Sequence, residues 1–301
     1  MIWHKIRQNW IIYLLGILIP FVLWGCFIGW PLIYNIYLSF TDWNGFTTDF
    51  NFVGLDNYHE MLDDPFILKC LLNNVKWVIG SLLLADILGF FLAVTLHSKK
   101  LYFTSIFRVL FFLPYTMPLV TVGVMFSLLL SPGFGALDKI LELIGLGGLI
   151  RPWLGDYNTA LYTLITIFSW AYIGFPLMLF HTGINQIPGE LYEAAALEGA
   201  RPIQSLWYVT IPMMRSVSIG VVTLTVIEGI KMFDLVAVMT IGGPFGATNV
   251  LGHYMYTVSF RTGNQFGYGA SIGVLILLLS SIFSLIYIRY YKGAVLHGSE
   301  R

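Results

Sequence analysis

Charge is what this chain has least of. Only 11% of its 301 residues are Asp, Glu, Lys or Arg, while 57% are hydrophobic, and the mean hydropathy is +0.77. Soluble domains carry roughly 25% charged residues, so this chain cannot cover a water-facing surface of ordinary size. Cysteine is scarce as well. Cys26 and Cys70 are too few for a disulfide framework and lack metal-site spacing, so they read as inert apolar thiols. No G-x-x-x-x-G-K-[ST] occurs, which excludes ATP binding by a P-loop. The histidines His4, His59, His97, His181, His253 and His297 form no H-E-x-x-H pair. No nucleophile elbow on a strand-to-helix turn is expected either. Catalytic residues and metal ligands are therefore both expected to be none, and an intramembrane hydrolase lacks its constellation. A formal net charge of zero, without a basic tract, gives no footing for nucleic acid. No period-2 alternation broken by turns appears, which argues against a β-barrel.

What is present is apolar sequence in runs of helical length. They fall at about 10–40, 70–96, 103–130, 158–184, 214–240 and 268–291. A span needs ~20 residues, so the composition implies a polytopic, all-α membrane protein. The first run is longer than one span needs and lacks a small-residue cleavage site, so it reads as a first transmembrane helix rather than a signal peptide. Pro20 and Pro31 are candidates for bending it. Basic residues set the orientation. Lys5, Arg7, Lys99, Lys100, Arg108, Arg201, Arg215, Arg289, Lys292 and Arg301, ten of the 16, fall on one set of faces. The opposite loops hold Lys139, Arg151 and Arg261, with Lys69 near a helix end. The first of these loops is acidic, with Asp42, Asp49, Asp56, Glu60, Asp63 and Asp64. Six transmembrane helices with both termini cytosolic follow, and the loop at 185–213 faces the cytosol.

That loop is unusually shaped. Gly189 and Glu190 follow Pro188, and an acidic residue near a helix start complements its dipole. Leu191 to Glu198 is rich in helix formers. Gly199 suits a left-handed C-terminal cap, and Pro202 suits the first turn of a second helix. Trp207 and Ile211 are four apart, as for one helical face, and Pro212 marks a bend before the next span. Three successive alanines leave a narrow helix able to enter a groove on a partner.

The full spacing, Glu-Ala-Ala, three residues, Gly, eleven residues, Ile-Pro, resembles the signature of permease subunits of binding-protein-dependent ABC importers. The flanks are similar to the carbohydrate-uptake branch, the maltose and glycerol-3-phosphate type. Phe52-Val53-Gly54-Leu55-Asp56-Asn57-Tyr58 resembles its first external loop. Phe233-Asp234, Thr240, Gly242-Gly243-Pro244 and Thr248 resemble its fifth helix and following loop. Tyr256, Phe260 and Gly267-Tyr268-Gly269-Ala270 resemble the approach to the sixth. There are departures: Glu198 stands where the family usually has Asp, and Ser216 where a proline is common.

The resemblance implies a type I ABC importer permease architecture, with 1–301 a single transmembrane permease domain carrying a coupling loop at 185–213. In that family the loop seats in a cleft of an ATP-binding subunit. Carried over, Glu193, Ala194, Ala195 and Gly199 are the ATPase-coupling positions; Arg201 is added from the residues as a salt-bridging or carbonyl-capping group. The implied partners are a second homologous permease, two ATP-binding subunits, an extracellular solute-binding protein and the lipid bilayer, with no nucleic acid. No cofactor is expected on this chain; ATP and Mg belong to the ATPase subunits. The implied place is a bacterial cell membrane, crossed several times. The rival is a secondary transporter or channel working without ATP.

Ionisable residues inside a membrane cost roughly 2.5–3.5 kcal/mol each and face the protein interior. Asp86, Glu228, Lys231 and Asp234 are such residues. Glu228–Lys231 and Lys231–Asp234 are each i,i+3, a spacing for mutual neutralisation. Thr225, Glu228, Gly229 and Met232 share a helical face in the fifth span. Ser169, Tyr172 and Pro176 share one in the fourth, near Trp170. The substrate-pathway candidates are therefore Ser169, Trp170, Tyr172, Thr225, Glu228, Gly229 and Met232. Their aromatic surface with a few polar groups suits a sugar, and the resembled permeases hold substrate near mid-membrane. An oligosaccharide is favoured; a monosaccharide, a polyol or glycerol-3-phosphate stay open. The paired glycines Gly269 and Gly273 are read as close packing.

Overall fold

The computed structural model describes the backbone of residues 10–97 and 103–298 and the side chains of 16–97 and 103–289. Lys5, Arg7, Lys99, Lys100 and Arg301 lie outside the described residues, as does the side chain of Lys292. In chain order the described helices are α1 (10–38), α2 (Asp56–Asp63), α3 (Pro65–His97), α4 (Thr104–Thr116), α5 (Leu119–Leu129), α6 (Ala136–Leu143) and α7 (Ala160–Tyr172). They continue with α8 (Gly174–Ile184), α9 (Gly189–Leu197), α10 (202–213), α11 (Arg215–Ile230), α12 (Asp234–Met239), α13 (251–262) and α14 (Phe266–Gly298). No strand occurs among the described residues; one isolated antiparallel bridge joins Thr41 to Phe52.

Every apolar run is helical, but not every run is one helix. Among the described residues Gly16–Leu38, Pro65–His97 and Phe266–Arg289 are long and apolar enough to cross a membrane alone. Two bent pairs raise this to five: α4 with α5, at 94°, and α7 with α8, at 43°. The first bend follows from proline. Pro118 pushes the preceding Met117 out of the helical region, to ψ 139°. The second bend falls at Ile173, just before Pro176, which withholds an N–H from the helical ladder. Gly174 lies there too, so close to the backbone of Phe111 and Phe112 that a side chain would collide. Pro20, by contrast, lies within the helix Trp10–Trp24, and α1 is instead locally widened by a π-helical turn over Gly25–Gly29.

The contacts divide the chain into two compact units, Met1–Asp64 with Met255–Leu275, and Pro65–Tyr254 with Ile276–Arg301. In the first unit the 52–58 motif has a structural meaning. Val53 N donates to Phe40 O at 2.8 Å, and Gly54 takes φ +62°. Buried Asn57 donates to both Ser39 O and Thr41 O at 2.9 Å, and the Tyr58 hydroxyl pairs with Ser39 Oγ at 2.7 Å. The motif therefore folds the loop back onto the carbonyls of Ser39, Phe40 and Thr41, just past the end of α1. Tyr268 OH donates to Asp64 Oδ2 at 2.7 Å. Gly269 sits against Ser259, and Gly273 within 3.4 Å of Met255 Sδ of the preceding helix. The residues Gly269-Ala270-Ser271-Ile272-Gly273 do spell the letters of a nucleophile elbow. They lie inside α14, however, where Ser271 is fully buried and donates to Tyr268 O.

Asp42 ties the same loop. Its Oδ1 accepts from Asn51 N at 2.6 Å and its Oδ2 from Asn51 Nδ2 at 3.1 Å. The Asn51 backbone N–H, and then its side chain, hold the carboxyl below its usual range. A lowered carboxyl pKa contributes order that is fully present above the unfolded value near 3.8 and is lost as pH falls through the folded value. Amide hydrogen exchange at 42–51 should therefore be flat from pH 7 to 5, after correction for intrinsic rates, and accelerate below the usual Asp range. Acceleration already at pH 6 would contradict this.

In the second unit α3 is the central helix. Trp77, completely buried, meets Phe168 of α7 edge-on at 5.8 Å, and Val78 lies against Gly229 of α11. Leu164, Leu235 and Val250 close this core. In lipid such packing and internal hydrogen bonds, rather than exclusion of water, hold helices together. A second cluster of Ala93, Phe180, Ile184, Met214 and Val221 joins α3, α8 and α11 at the end nearer the 185–213 loop.

The fifth apolar run breaks after Ile230. Lys231 to Phe233 form a turn before α12 opens at Asp234. The freed groups are satisfied from α3. Asn74 Nδ2 donates to Gly229 O at 2.8 Å and Ile230 O at 3.1 Å, while its Oδ1 accepts from Leu251 N at 2.9 Å. Asn73 Nδ2 donates to Ala247 O at 3.0 Å and Asn249 O at 2.8 Å. A broken helix is tolerated at membrane depth when neighbours re-satisfy its backbone in this way.

Candidate functional site

Two places concentrate exposed or buried polar chemistry. The first is the 185–213 loop. Helix α9 opens after Pro188 and ends with Ala200 N donating to Ala195 O at 2.9 Å and Gly199 N to Ala196 O at 3.0 Å. Gly199 has φ +79°. This is the Schellman arrangement, which closes a helix by satisfying its last carbonyls. Pro202 then opens α10, and the Arg201 backbone N–H donates to Gln204 Oε1 at 2.7 Å. Tyr192 OH and Thr210 Oγ1, 3.0 Å apart, pin α9 to α10.

The result is a rigid hairpin with an open surface. Glu193 and Ala194 are exposed, Ala195 is half-buried, and Gly199 and Arg201 are exposed. Leu197, Ile203, Trp207 and Tyr208 stand out beside them, Leu197 at 90% exposure. A π-helical turn over Leu206–Thr210 leaves Trp207 exposed and Ile211 half-buried. A further break at Met214 precedes α11. Large apolar side chains held outward on this hairpin make it a candidate interaction surface.

The second place lies midway along the second unit. A cavity of 220 Å³ is lined by Tyr115, Phe168, Tyr172, Phe175, Leu224 and Glu228, among others. Phe168 stacks on Tyr172 at 5.0 Å, Tyr115 stacks on Phe175 at 5.2 Å, and Tyr115 meets Tyr172 edge-on at 6.0 Å. Glu228 is the cavity's acid and pairs with Lys231 at 3.3 Å, both side chains about half exposed. Asp234 opens α12, where a negative charge complements the helix start. Beneath Tyr172, Thr225 is fully buried and donates from Oγ1 to Asp86 Oδ1 of α3 at 2.9 Å.

The sequence candidates are thus partly brought together. Tyr172 and Glu228 line one cavity, with Thr225 behind it. Ser169 and Trp170 line a different, more apolar cavity of 550 Å³ with Leu84, Phe107, Phe111 and Thr166. Gly229 packs against Val78, and Met232 is buried in the central core. α7 and α11 belong to spans that flank the same loop, and they meet where Thr225 Oγ1 lies 3.5 Å from the Tyr172 hydroxyl; α3 packs against both. Tyr115, Phe168 and Phe175 were missed as site residues. The prolines Pro114, Pro118 and Pro176, each beside an aromatic-lined bend, are the signal that points to them.

The chain matches the family described as "Binding-protein-dependent transport system inner membrane component" over residues 87–294. It belongs to that family. Its relatives agree over nearly the full length. A probable ABC transporter permease protein of Bacillus subtilis (strain 168), YurN, is 33% identical over 288 residues, 95% of this chain and 98% of the relative. The multiple sugar-binding transport system permease protein MsmF of Streptococcus mutans is 30% identical, covering 92% of this chain and 93% of the relative. A bacterial ABC transporter involved in import of the polysaccharide alginate shares the fold, with TM-score 0.78 at 20% identity over 96% of this chain and 98% of that one. The chain is therefore a membrane permease of the ABC importer class, a translocation component and not an enzyme.

Proposed function

We propose that this permease is one transmembrane half of an ATP-driven importer of a sugar or related solute. It crosses the membrane six times as a single permease domain of type I architecture, with both termini cytosolic. α11 and α12 together supply the fifth crossing. A second, homologous permease completes the pathway, and two ATP-binding subunits carry ATP and Mg. An extracellular solute-binding protein delivers the solute. The place is a bacterial cell membrane. The names of relatives support the sugar: MsmF is a multiple sugar-binding system permease, and NgcF of Streptomyces coelicolor, 30% identical, belongs to a diacetylchitobiose uptake system.

The observation that carries the reading is the α9–α10 hairpin, with its Schellman turn at Gly199 and its outward Leu197, Trp207 and Tyr208. A channel or secondary transporter has no use for a rigid cytosolic hairpin with that surface; an ATPase subunit has. In this reading Glu193, Ala194, Ala195, Gly199 and Arg201 form the joint, and Tyr172, Thr225 and Glu228 border the pathway. Tagged chain extracted from its native membrane should bring down an ATP-binding subunit and a second permease. Alanine replacement of Leu197 and Trp207 together should lose the ATP-binding subunit while keeping the second permease. Equal recovery of the ATPase with both side chains removed would count against the hairpin.

A further inference from the structure

The larger cavity has no task in the pathway as described. Its 550 Å³ lie between α3, α4 and α7, and Leu84, Leu88, Phe107, Leu110, Phe111 and Trp170 line most of it. Thr166 and Ser169 are the hydroxyl residues of the lining, and Thr166 spends its hydroxyl on Tyr162 O of its own helix at 2.8 Å. The volume is that of an ordinary ligand site, and such a lining suits hydrocarbon better than a sugar.

A cation stands at the head of the same crease. α3 runs parallel to α7 and α8: Lys69 Nζ lies 5.1 Å from the centroid of the Tyr157 ring, Gly80 faces Ile165, and Gly89 faces Pro176 and Leu177. That register sets Lys76 level with Tyr162, and both are exposed. From there, at helical spacing, Gly80, Leu84 and Leu88 continue one side of the crease and Thr166, Ser169 and Trp170 the other, down into the cavity. Lys76 forms no hydrogen bond or ion pair among the described residues. A charge facing hydrocarbon is costly, and a lysine so placed stretches its stem toward the headgroups. Helical side chains lean toward the N-terminus, which in α3 is the Pro65 end, away from the cavity. Lys76 to Leu88 covers roughly 18 Å of helix, against roughly 15 Å for half of a bilayer's hydrocarbon core.

We propose that this crease binds one phospholipid of the leaflet nearer Pro65, with its anionic phosphate at Lys76 beside Tyr162 and an acyl chain running down into the cavity. Charge and length select the occupant. An unpaired cation at the head calls for an anion, and an apolar floor about one leaflet deep calls for a chain; a phospholipid brings both. A filled cavity holds α4 against α3 and α7. The site is separate from the proposed solute pathway, whose Tyr172 and Glu228 border a different cavity. It takes from the import reading only that α3 crosses the membrane.

The test uses the complete complex, stripped of lipid in a neutral detergent and titrated with palmitoyl-oleoyl-phosphatidylglycerol, with bound lipid counted by native mass spectrometry. Lys76→Gln should weaken the tightest site about fivefold, the worth of one cation beside an anionic lipid, and Lys76→Arg should stay within about twofold of wild type. Thr166→Phe, which fills the cavity and keeps the lysine, should weaken binding at least as much as Lys76→Gln. Diacylglycerol, the chains without the phosphate, should bind wild type and Lys76→Gln equally. Glycerol phosphate, the head without the chains, should not displace the lipid. If Thr166→Phe does not assemble, Lys76→Gln with the diacylglycerol comparison decides. Wild-type affinity in either Lys76→Gln or Thr166→Phe means unspecific surface lipid and overturns the proposal. So does a wild-type complex that takes up no phosphatidylglycerol while a cysteine placed by Tyr162→Cys cross-links to the second permease, which then covers the crease. Either result in a complex that still imports sugar leaves the import reading standing, so the two readings fail separately.

Discussion

Gly199→Val should lower ATP-driven uptake at least ~10-fold, while Gly199→Asn keeps most of it. A Cβ added at Gly199 meets nothing within 4 Å, so no neighbour forbids a side chain. The obstacle is the backbone itself, at φ +79°. A β-branched residue held there costs on the order of 1–3 kcal/mol, whereas asparagine visits the left-handed region readily. With valine the Ala200–Ala195 and Gly199–Ala196 bonds open, and α9 and α10 lose their fixed angle. A joint that bends under load passes on less of the ATPase motion. Uptake by proteoliposomes, alongside recovery of the ATP-binding subunit, measures this. Valine and asparagine variants with equal uptake would show that the turn has no part in coupling.

Asn74→Leu should be the most destabilising single change of a polar residue in the core of the second unit. Asn74 is 4% exposed, and its amide serves the carbonyls of Gly229 and Ile230 and the N–H of Leu251. Leucine fills similar space and serves none of them. Each buried polar group left unpaired costs about 1–3 kcal/mol, and at membrane depth no bulk water replaces the lost partner. Three groups together give a loss on the order of 3 kcal/mol or more. The thermal midpoint of the permease in nanodiscs should fall sharply. Asn73→Leu, which strands the carbonyls of Ala247 and Asn249, should cost less. Wild-type stability in Asn74→Leu would mean that the break after Ile230 needs no support from α3.

The parts of the molecule readable from the sequence are those built from local rules. The apolar runs follow from span length, and the α9–Gly199–Pro202 hairpin follows from cap chemistry confined to a dozen neighbouring residues. The Glu228–Lys231 pair follows from i,i+3 spacing. What escaped was long-range. Nothing near Ile230 tells that its carbonyl is held by Asn74, 156 residues away. Periodicity placed Ser169 and Tyr172 on one face, yet two cavities flank the same turns of α7, and each residue borders a different one. The π-helical turns at Leu82–Ile87 and Leu206–Thr210 interrupt the 3.6-residue period, and spacing alone does not announce them. The letters Gly269-Ala270-Ser271-Ile272-Gly273 show the converse, a motif whose spelling carries no chemistry inside a helix.

The proposed joint and the proposed pathway involve different residues, and the claim uniting them is that ATP hydrolysis by another subunit drives solute through this chain. The direct measurement is uptake of radiolabelled sugar into vesicles containing the purified complex, with ATP enclosed and the binding protein outside. Uptake should require both, rise above the external concentration, and stop when either is left out. Uptake at an undiminished rate without enclosed ATP would contradict the account.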